Sequence, residues 1–355
     1  MKERAHRAAL RRTGRRLLPW LAVAALAGVA GAAEAPRPAE RARLADHSLL
    51  IALATAGKRL VAVGDRGVIV YSDDRGTSWE QARAVPVQAL LTGVCFFDST
   101  HGIAVGHDLV ILTTADAGRT WQLAHYDPAA QRPLLDVWCG AGGHAIAVGA
   151  YSAQLISEDA GAHWSERKFA PQPPAAAPGA KASAADADAG NAGGFHLNRI
   201  VAASASQLYI AGEAGHLYRS DDVGLTWREL NSPYEGSFFG VLPMNGDVLL
   251  AFGLRGSLYR SENAGVTWQK LTSGTLAMLD GAGRLGESGV VIVGLGGVVL
   301  TSADGGRTFA LDQQADHTDL SAVLVHGDER LVTAGVAGVK TVPLTAGRAS
   351  VKVQP

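Results

Sequence analysis

The carboxylates of this sequence are its candidates for acid–base chemistry. Four of them, Asp65, Asp136, Glu213 and Asp280, fall in or directly after apolar runs, where a folded chain could hold them in a cleft. Two carboxyl groups about 5 to 10 Å apart are what glycoside hydrolysis requires. These four belong to four different copies of the repeat described below, and Arg199 is the one arginine predicted in an innermost strand. The sequence therefore provides no recognisable pair of acid and base.

Other catalytic arrangements are also missing from the sequence. A sialidase needs three arginines for a substrate carboxylate and a Tyr-Glu nucleophile pair, and neither set is recognisable. Hydrolase nucleophile turns, phosphate-binding loops and His-Glu-x-x-His helices do not occur. His317 lies between Asp316 and Asp319, yet no second histidine is spaced to complete a metal site. We predict no catalytic residue, no metal and no cofactor; a carbohydrate-binding or glycoside-hydrolysing protein of the sialidase type is the alternative.

A phrase of eight residues returns six times and sets the organisation of the chain. It reads Ser-x-Asp-x-Gly-x-Thr-Trp in its commonest form, and its final aromatic residues are 42, 43, 63, 41 and 41 residues apart. A glycine that follows an apolar run recurs seven times with the same spacing, from Gly64 to Gly335. A period of about forty residues indicates a repeat architecture. The third and eighth positions of the six phrases hold Asp74 and Trp79, Asp116 and Trp121, Asp159 and Trp164, Asp222 and Trp227, Asn263 and Trp268, and Asp304 and Phe309.

Each repeat contains four strand-like segments. In the first repeat they are 49–54, 59–63, 68–72 and 79–82, joined by turn residues at fixed offsets. Four short strands per repeat are typical of a β-propeller blade, whereas solenoids of this period are mostly helical. The seventh repeat lacks the eight-residue phrase but keeps four strand-like runs, the last at 350–353. The sequence therefore predicts an all-β fold, a seven-bladed β-propeller of four-stranded antiparallel blades.

The eight-residue phrase resembles the Asp-box, also called the BNR repeat, of sialidases and related propellers. Its carboxylate can accept hydrogen bonds from the amides of its own turn, its glycine can take a left-handed backbone, and its aromatic ring can pack between sheets. We therefore interpret the six Asp-boxes as structural turns between the third and fourth strands. They would lie on the side away from the usual binding face of a propeller.

The Asp-boxes, the Gly-x-x-Gly turns and the segment 233–240 together resemble the bacterial relatives of the photosystem II assembly factor Ycf48, over residues 48 to 345. The resemblance implies a seven-bladed propeller without enzymatic activity, which binds a partner polypeptide and helps to assemble a membrane complex. It does not carry over the photosynthetic partner, because nothing in the chain indicates a photosynthetic host. The implied protein is a noncatalytic exported scaffold of a nonphotosynthetic branch, which assists an envelope complex or a transporter.

Strand alternation places the turns between second and third strands, and the links between blades, on the face opposite the Asp-boxes. Mixed polar and apolar side chains around one central mouth suit a peptide or protein partner. Tyr234, with Phe238 or Phe239, is a candidate aromatic anchor in the link between blades four and five. The predicted partner-binding residues on this face are Asp65, Arg66, His107, Asp108, Tyr151, Glu213, Tyr234 and Arg255, with the less polar Leu254, Leu295 and Val336 beside them.

The segment 171–194 interrupts the third repeat. It consists of Ala, Pro, Gly and Asp with almost no large apolar residue, so it cannot bury enough surface to order itself. We predict a mobile loop that joins blade three to blade four on the partner-binding face. It would act as a passive tether or, alternatively, engage the partner.

The first residues of the chain predict export. Seven Lys and Arg residues precede an apolar run at 17–33, which indicates a secretory signal peptide at 1–32, with an uncleaved membrane anchor as the alternative. An N-terminal segment at 33–47 and the propeller at 48–353 would follow. The chain after the leader has 25 Lys and Arg against 32 Asp and Glu, which excludes a nucleic acid partner. We expect a periplasmic or secreted monomer.

The sequence has two cysteines, Cys95 and Cys139. They fall one step apart in the predicted innermost strands of adjacent blades and point to opposite blade faces. Packed sheets lie about 10 Å apart, whereas a disulfide needs Cα atoms within about 7 Å. The sequence therefore favours two buried free thiols, with a disulfide as the alternative in an exported chain.

The sequence leaves two ways to complete the ring of blades. Residues 39–45 could add an outer strand to blade seven, or 350–353 could complete that blade alone.

Overall fold

The computed structural model describes residues 35–174, 194–326 and 330–343, which form seven antiparallel sheets of consecutive strands. Blades one and two comprise β1 (Leu50–Ala56), β2 (Arg59–Gly64), β3 (Ile69–Ser72) and β4 (Glu80–Gln81), then β5 (Leu91–Phe96), β6 (Gly102–Gly106), β7 (Ile111–Thr114) and β8 (Gln122–His125). Blades three and four comprise β9 (Leu134–Cys139), β10 (Ala145–Gly149), β11 (Gln154–Ser157) and β12 (Ser165–Glu166), then β13 (Leu197–Ala202), β14 (Leu208–Gly212), β15 (Leu217–Ser220) and β16 (Arg228–Glu229).

The remaining blades follow the same order. Blades five to seven comprise β17 (Phe238–Pro243), β18 (Leu249–Gly253), β19 (Leu258–Ser261) and β20 (Gln269–Lys270), then β21 (Leu279–Leu285), β22 (Gly289–Gly294), β23 (Val298–Ser302) and β24 (Ala310–Gln313), and finally β25 (Leu320–His326), β26 (Arg330–Gly335) and β27 (Gly338–Pro343). The strand predicted at 350–353, the leader at 1–32 and most of the segment 171–194 lie outside the described residues.

The first strand of each blade lies innermost, and these strands contact one another around the axis of the ring. β1 contacts β5, and the circuit runs through β9, β13, β17 and β21 to β25, which packs against β1. The predicted seven-bladed, all-β propeller is confirmed. The helical elements of the described residues are 3-10 turns of three residues. In this part of the chain, no helix has the length and apolar character needed to cross a membrane.

The core lies in the seams between blades. The second strands β2 and β22 are buried at all their residues because a neighbouring blade covers each of their faces. The buried side chains of the described residues form seven clusters, one for each seam. Each Asp-box aromatic packs into the seam with the preceding blade. Trp121 lies between blades one and two, for example, and Trp79 lies between blades seven and one.

The side chain at the third position of each Asp-box accepts hydrogen bonds from its own turn. In blade two, Oδ1 of Asp116 accepts the Thr120 amide at 2.9 Å and Oδ2 accepts the Thr120 hydroxyl at 2.6 Å. The Thr114 hydroxyl, whose role the sequence pattern does not reveal, accepts the Gly118 amide at 3.0 Å. Gly118 has a left-handed φ of +83°, and so does Ala117 before it, at +59°. The bond from the seventh-position amide to the third-position side chain recurs in the five other boxes.

Removal of an Asp-box carboxylate is expected to destabilise the fold modestly. Partial burial raises the pKa of Asp304, but hydrogen bonds from Thr308, Ser302 and Arg307 outweigh it and leave the pKa below its ordinary value. Asp304→Ala should therefore lower the free energy of unfolding by about 1 to 2 kcal/mol at neutral pH, after allowance for solvent exposure. A lowered pKa stabilises the fold above the ordinary pKa, and this contribution disappears as the pH falls through the folded-state pKa.

Urea unfolding at neutral and acidic pH measures this effect. The difference in the free energy of unfolding between wild type and Asp304→Ala should be smaller at acidic pH. Asn263→Ala is the matched control, since Asn263 makes the same turn with a neutral acceptor and should cost less. Equal stability of wild type and Asp304→Ala at neutral pH would contradict the expectation.

Cys95 and Cys139 form a disulfide, so the prediction of two free thiols is wrong. Their Cα atoms are 5.7 Å apart. The usual spacing of packed sheets does not apply here, because the innermost strands β5 and β9 converge towards the axis. Gly93 marks the close approach, since a Cβ on it would lie 2.9 Å from the Cα of Asp136. The one-step offset predicted for the two cysteines lets their side chains meet.

The segment 39–45 lies along blade one and adds no strand to blade seven among the described residues. The Gln81 side chain holds its backbone through two hydrogen bonds of 2.8 Å. Blade seven is joined to blade one by packing of β25 on β1 and by a hydrogen bond of 2.9 Å from the Thr341 hydroxyl to the Gly76 carbonyl. The first alternative for closing the ring is therefore wrong, and the second, at 350–353, lies outside the described residues.

Candidate functional site

The turns between second and third strands and the links between blades meet on one face. In blade two, the His107 amide donates to the Leu90 carbonyl at 2.9 Å, and the Leu109 amide donates to the Arg132 carbonyl of the next link at 3.1 Å. Similar bonds join turn and link in other blades. We call this surface the turn–link face. It comprises the turns Asp65–Gly67, His107–Leu109, Ala150–Ser152, Glu213–Gly215, Leu254–Gly256 and Leu295–Gly297 with the links beside them.

The middle residue of each of these turns, the apex position, has a left-handed backbone. Its φ is +51° at Arg66, +59° at Asp108, +55° at Tyr151 and +56° at Arg255. This conformation costs a residue with a side chain about 1 kcal/mol, and Gly296 holds the same position in blade six with φ +66°. The Arg66, Tyr151 and Arg255 side chains are exposed. The backbone of the turn thus presents the apex side chain to solvent.

Four of the predicted residues are engaged with close neighbours. Nε of Arg66, whose side chain is 83% exposed, lies 3.5 Å from Oδ2 of Asp65. Oε2 of Glu213 accepts the His196 amide at 3.2 Å. The His196 ring packs edge-on against Tyr151, with centroids 5.1 Å apart. Blades three and four therefore share a polar and aromatic cluster centred on His196, a link residue that no sequence motif marks.

The predicted residues of blade two, His107 and Asp108, lie apart from that cluster. His107 is exposed and Asp108 is partly exposed. The Asp108 carbonyl accepts the Asp127 amide at 2.9 Å, which fixes the link after blade two. In the link after blade six, the Asp316 carboxylate binds Nζ of Lys340 at 2.5 Å. The Asp108 backbone and the Asp316 carboxylate thus take part in ordinary turn and ion-pair contacts.

Tyr234 and Arg255 lie beside two recesses in the turn–link face, which we call together the Arg255 groove. The Tyr234 hydroxyl donates to the Leu254 carbonyl at 3.2 Å, and its ring contacts Phe238 with centroids 5.6 Å apart. The first recess has a volume of about 720 Å³ and the second about 600 Å³. Arg255 borders both. The lining residues are 232–236, Leu254 and Arg255 in the first recess, and 255–257 and 270–276 in the second.

Two residues of the second recess could not be anticipated from the sequence. Lys270 ends the short strand β20 and its side chain is exposed. Leu276 lies in the link between blades five and six and is 85% exposed. Neither belongs to a motif or to a turn between second and third strands. Only the placement of the link against the Arg255 turn brings them into the groove.

Arg199 spans the central channel between two carboxylates. Its Nε lies 3.9 Å from Oδ2 of Asp136, and its Nη2 lies 3.7 Å from Oδ1 of Asp280. The three residues belong to blades four, three and six, so the fold unites two of the carboxylates that the sequence placed in separate repeats. Arg199 is not the only arginine in an innermost strand, contrary to the prediction. Arg284 also lies in β21, where it binds the side chain of Asn245.

Burial dominates the electrostatics of this channel cluster. It raises the pKa of Asp280 to about 6, although the Arg199 cation lowers it. Burial also raises the pKa of Asp136, against Arg199 and the amides of Ile200 and Val137. The Asp136 carboxylate accepts the Ile200 amide at 3.0 Å, which ties blade three to blade four. The pKa values of both carboxyl groups are shifted upwards, whereas a catalytic acid and base need environments that separate their pKa values.

Comparison with known proteins gives a family match over part of the chain and a structural match over most of it. Residues 75–188 match the family model described as photosynthesis system II assembly factor YCF48. No curated protein matches the chain significantly.

Solved propellers share the fold at low sequence identity. A structure of YCF48 bound to D1 peptide is 16% identical, with a TM-score of 0.64 over 87% of this chain and 98% of that chain. YCF48 from Cyanidioschyzon merolae is 15% identical, with a TM-score of 0.65 over the same shares of the two chains. The WD40 propeller domain of Doa1 is 9% identical over 87% of this chain and 95% of that chain, with a TM-score of 0.61. The repeat pattern, the match over residues 75–188 and the fold each make this chain similar to Ycf48-like propellers of BNR repeats.

Proposed function

We propose that this chain is an exported, noncatalytic propeller that binds a protein partner through its turn–link face and assists the assembly or function of an envelope or membrane complex. The contrast between its two faces carries the proposal. The Asp-box carboxylates are used within their own turns, whereas the turn–link face keeps Arg255 exposed between two recesses. The likeness to YCF48, one structure of which contains a D1 peptide, supports a polypeptide as the ligand.

A binding role fits the chemistry of the channel better than a catalytic one. Asp136 and Asp280 are the carboxylates that come nearest to a paired arrangement, and Arg199 occupies the space between them. Asp136 is also committed to a backbone hydrogen bond with Ile200. A glycosidase needs one carboxyl group to remain ionised and the other protonated around a substrate. The pair here is arranged as an internal ion cluster.

Export is supported by two independent features. The basic and then apolar residues at 1–33 have the order of a signal peptide. The Cys95–Cys139 disulfide is a bond that persists in oxidising compartments such as the periplasm and is rare in the cytosol. Together they favour a periplasmic or secreted location, where an envelope complex would be within reach.

Partner capture from detergent-solubilised envelope tests the proposed face. A triple variant, Arg66→Ala, Glu213→Ala and Arg255→Ala, is expected to capture the partner at least about tenfold more weakly than wild type, because hot-spot residues carry most of the binding energy of an interface. Leu225→Ala with Val266→Ala is the matched control on the Asp-box face, where the two side chains are 56% and 57% exposed. Unchanged capture by the triple variant would reject the turn–link face.

A further inference from the structure

We infer that the Arg255 groove binds an extended peptide segment of the partner that carries an acidic side chain next to an apolar one. This inference rests on the proposed function and adds the chemistry of the partner and the part of the face that receives it. The groove lies across the turn–link face of blade five, between the links that precede and follow that blade. Arg255 lines both recesses, so a peptide that lies across Arg255 would contact both of them.

The charges of the groove favour an acidic ligand. Its charged lining residues are Arg255, Lys270 and Glu235, and Glu235 lies in the first recess only. Within the described part of the chain, the Arg255 and Lys270 side chains make no hydrogen bond or ion pair. The second recess thus presents two uncompensated cations on a chain whose residues beyond 32 carry an acidic excess. A peptide carboxylate is the complementary group and can accept charge-assisted hydrogen bonds from both cations.

Exposed apolar side chains flank these cations. Leu276 is 85% exposed and Leu254 is 37% exposed, one on each side of Arg255. Exposed leucines beside unpaired cations suit a ligand in which apolar and acidic residues are neighbours. An apolar ligand residue would cover leucine surface that the folded chain leaves in water.

The walls of the groove are held by contacts to main-chain carbonyls and need little rearrangement on binding. A Cβ added to Gly256 would lie 2.0 Å from the Thr275 carbonyl oxygen, so the turn of blade five packs directly on the next link. The Ser273 hydroxyl donates to the same carbonyl at 3.1 Å. On the other side, the Tyr234 hydroxyl is bound to the Leu254 carbonyl. A preorganised site of this kind keeps the entropic cost of binding low.

Arg75 provides a matched control outside the turn–link face. It is an exposed arginine with a left-handed φ of +65°, against +56° at Arg255, and it lies in the Asp-box turn of blade one on the opposite face. If any exposed arginine with this backbone were sufficient, Arg75 and Arg255 would contribute equally.

Fluorescence anisotropy with labelled synthetic peptides tests the inference. The probes are a short extended peptide of alternating Asp and Leu residues and its counterpart with Asn in place of every Asp. Wild type is expected to bind the Asp peptide at least about tenfold more tightly, with added salt weakening the binding. Arg255→Ala with Lys270→Ala should lower the affinity for the Asp peptide about tenfold at an unchanged melting temperature. Arg75→Ala should bind the Asp peptide as wild type does.

Equal binding of the Asp and Asn peptides, or an equal loss of affinity in Arg75→Ala, would overturn the inference. The inference would also be overturned if the protein did not bind the Asp peptide but did bind phosphatidylglycerol vesicles, and if that vesicle binding required Arg255 and Lys270. Envelope capture separates this failure from failure of the proposed function. Partner capture that survives in the Arg255 and Lys270 double variant but not in the triple variant of the face would reject the groove and retain the face.

Discussion

Replacing Cys95 and Cys139 together by alanine is expected to lower the free energy of unfolding by about 3 to 4 kcal/mol. The disulfide joins residues 44 apart in the sequence and connects the innermost strands of blades two and three. Its loss would increase the conformational entropy of the unfolded chain and remove a covalent tie next to the axis. Urea unfolding of oxidised wild type, reduced wild type and the double variant measures the effect.

A reductant should shift the unfolding midpoint of wild type to that of the double variant and leave the variant unchanged. Identical midpoints for oxidised and reduced wild type would refute the stabilising role. Thiol trapping in intact cells adds a separate test of export, since a cytosolic pool would keep Cys95 and Cys139 reduced. A fully reduced pair in cells would argue against the proposed location without affecting the fold.

Replacing Arg199 by methionine is expected to cost about 3 kcal/mol of stability at neutral pH. The Arg199 side chain is 27% exposed, and the side chains of Asp136 and Asp280 are 11% and 20% exposed. Methionine keeps much of the apolar stem but leaves two largely buried carboxylates without their shared counter-charge. Desolvated charges without a partner are among the most destabilising changes a protein core can undergo. Urea unfolding between about pH 4 and pH 8 measures the loss.

The pH dependence of the free energy of unfolding identifies which carboxylate of this cluster most needs the Arg199 cation. Asp280 has a pKa of about 6 in the folded protein, above its ordinary value of 3.8. A raised carboxyl pKa means that the stability is fully present below the ordinary value and is lost as the pH rises through the folded-state pKa. Asp280→Asn should therefore gain stability relative to wild type above about pH 6 and not in acid. Combined with Arg199→Met, Asp280→Asn should also recover part of the stability that Arg199→Met loses. If this double variant were no more stable than Arg199→Met at any pH, Asp280 would not be the carboxylate that the Arg199 cation stabilises.

The number of blades and the phase of their strands could be predicted because the signals are local. A glycine such as Gly64 ends each second strand, and the prediction of a strand at 59–63 differs by one residue from the observed Arg59–Gly64. The Asp-box turn is similarly local, since its carboxylate binds amides within four residues. The first hydroxyl of the box, Thr114 in blade two, needed the three-dimensional turn before its role was apparent.

Contacts across the ring could not be predicted from the same signals. Repeat spacing fixes the position of a residue along its blade, but it does not give the distance between innermost strands. The disulfide of Cys95 with Cys139 and the approach of Arg199 to Asp280 both depend on that distance. The second recess of the Arg255 groove depends likewise on how a link folds over a turn, to which Lys270 contributes no sequence signal.

In the turns of the turn–link face, the backbone maintains the architecture, whereas the apex side chain distinguishes one blade from another. One backbone shape carries Arg, Asp, Tyr, Ala, Arg and Gly at its six apex positions in blades one to six. The hydrogen bonds that close the turns of blades one to five come from the main chain. The framework therefore accepts different apex side chains, subject to the left-handed backbone that the position requires. Natural selection can therefore change the binding specificity of such a surface one blade at a time, without altering the packing of the ring.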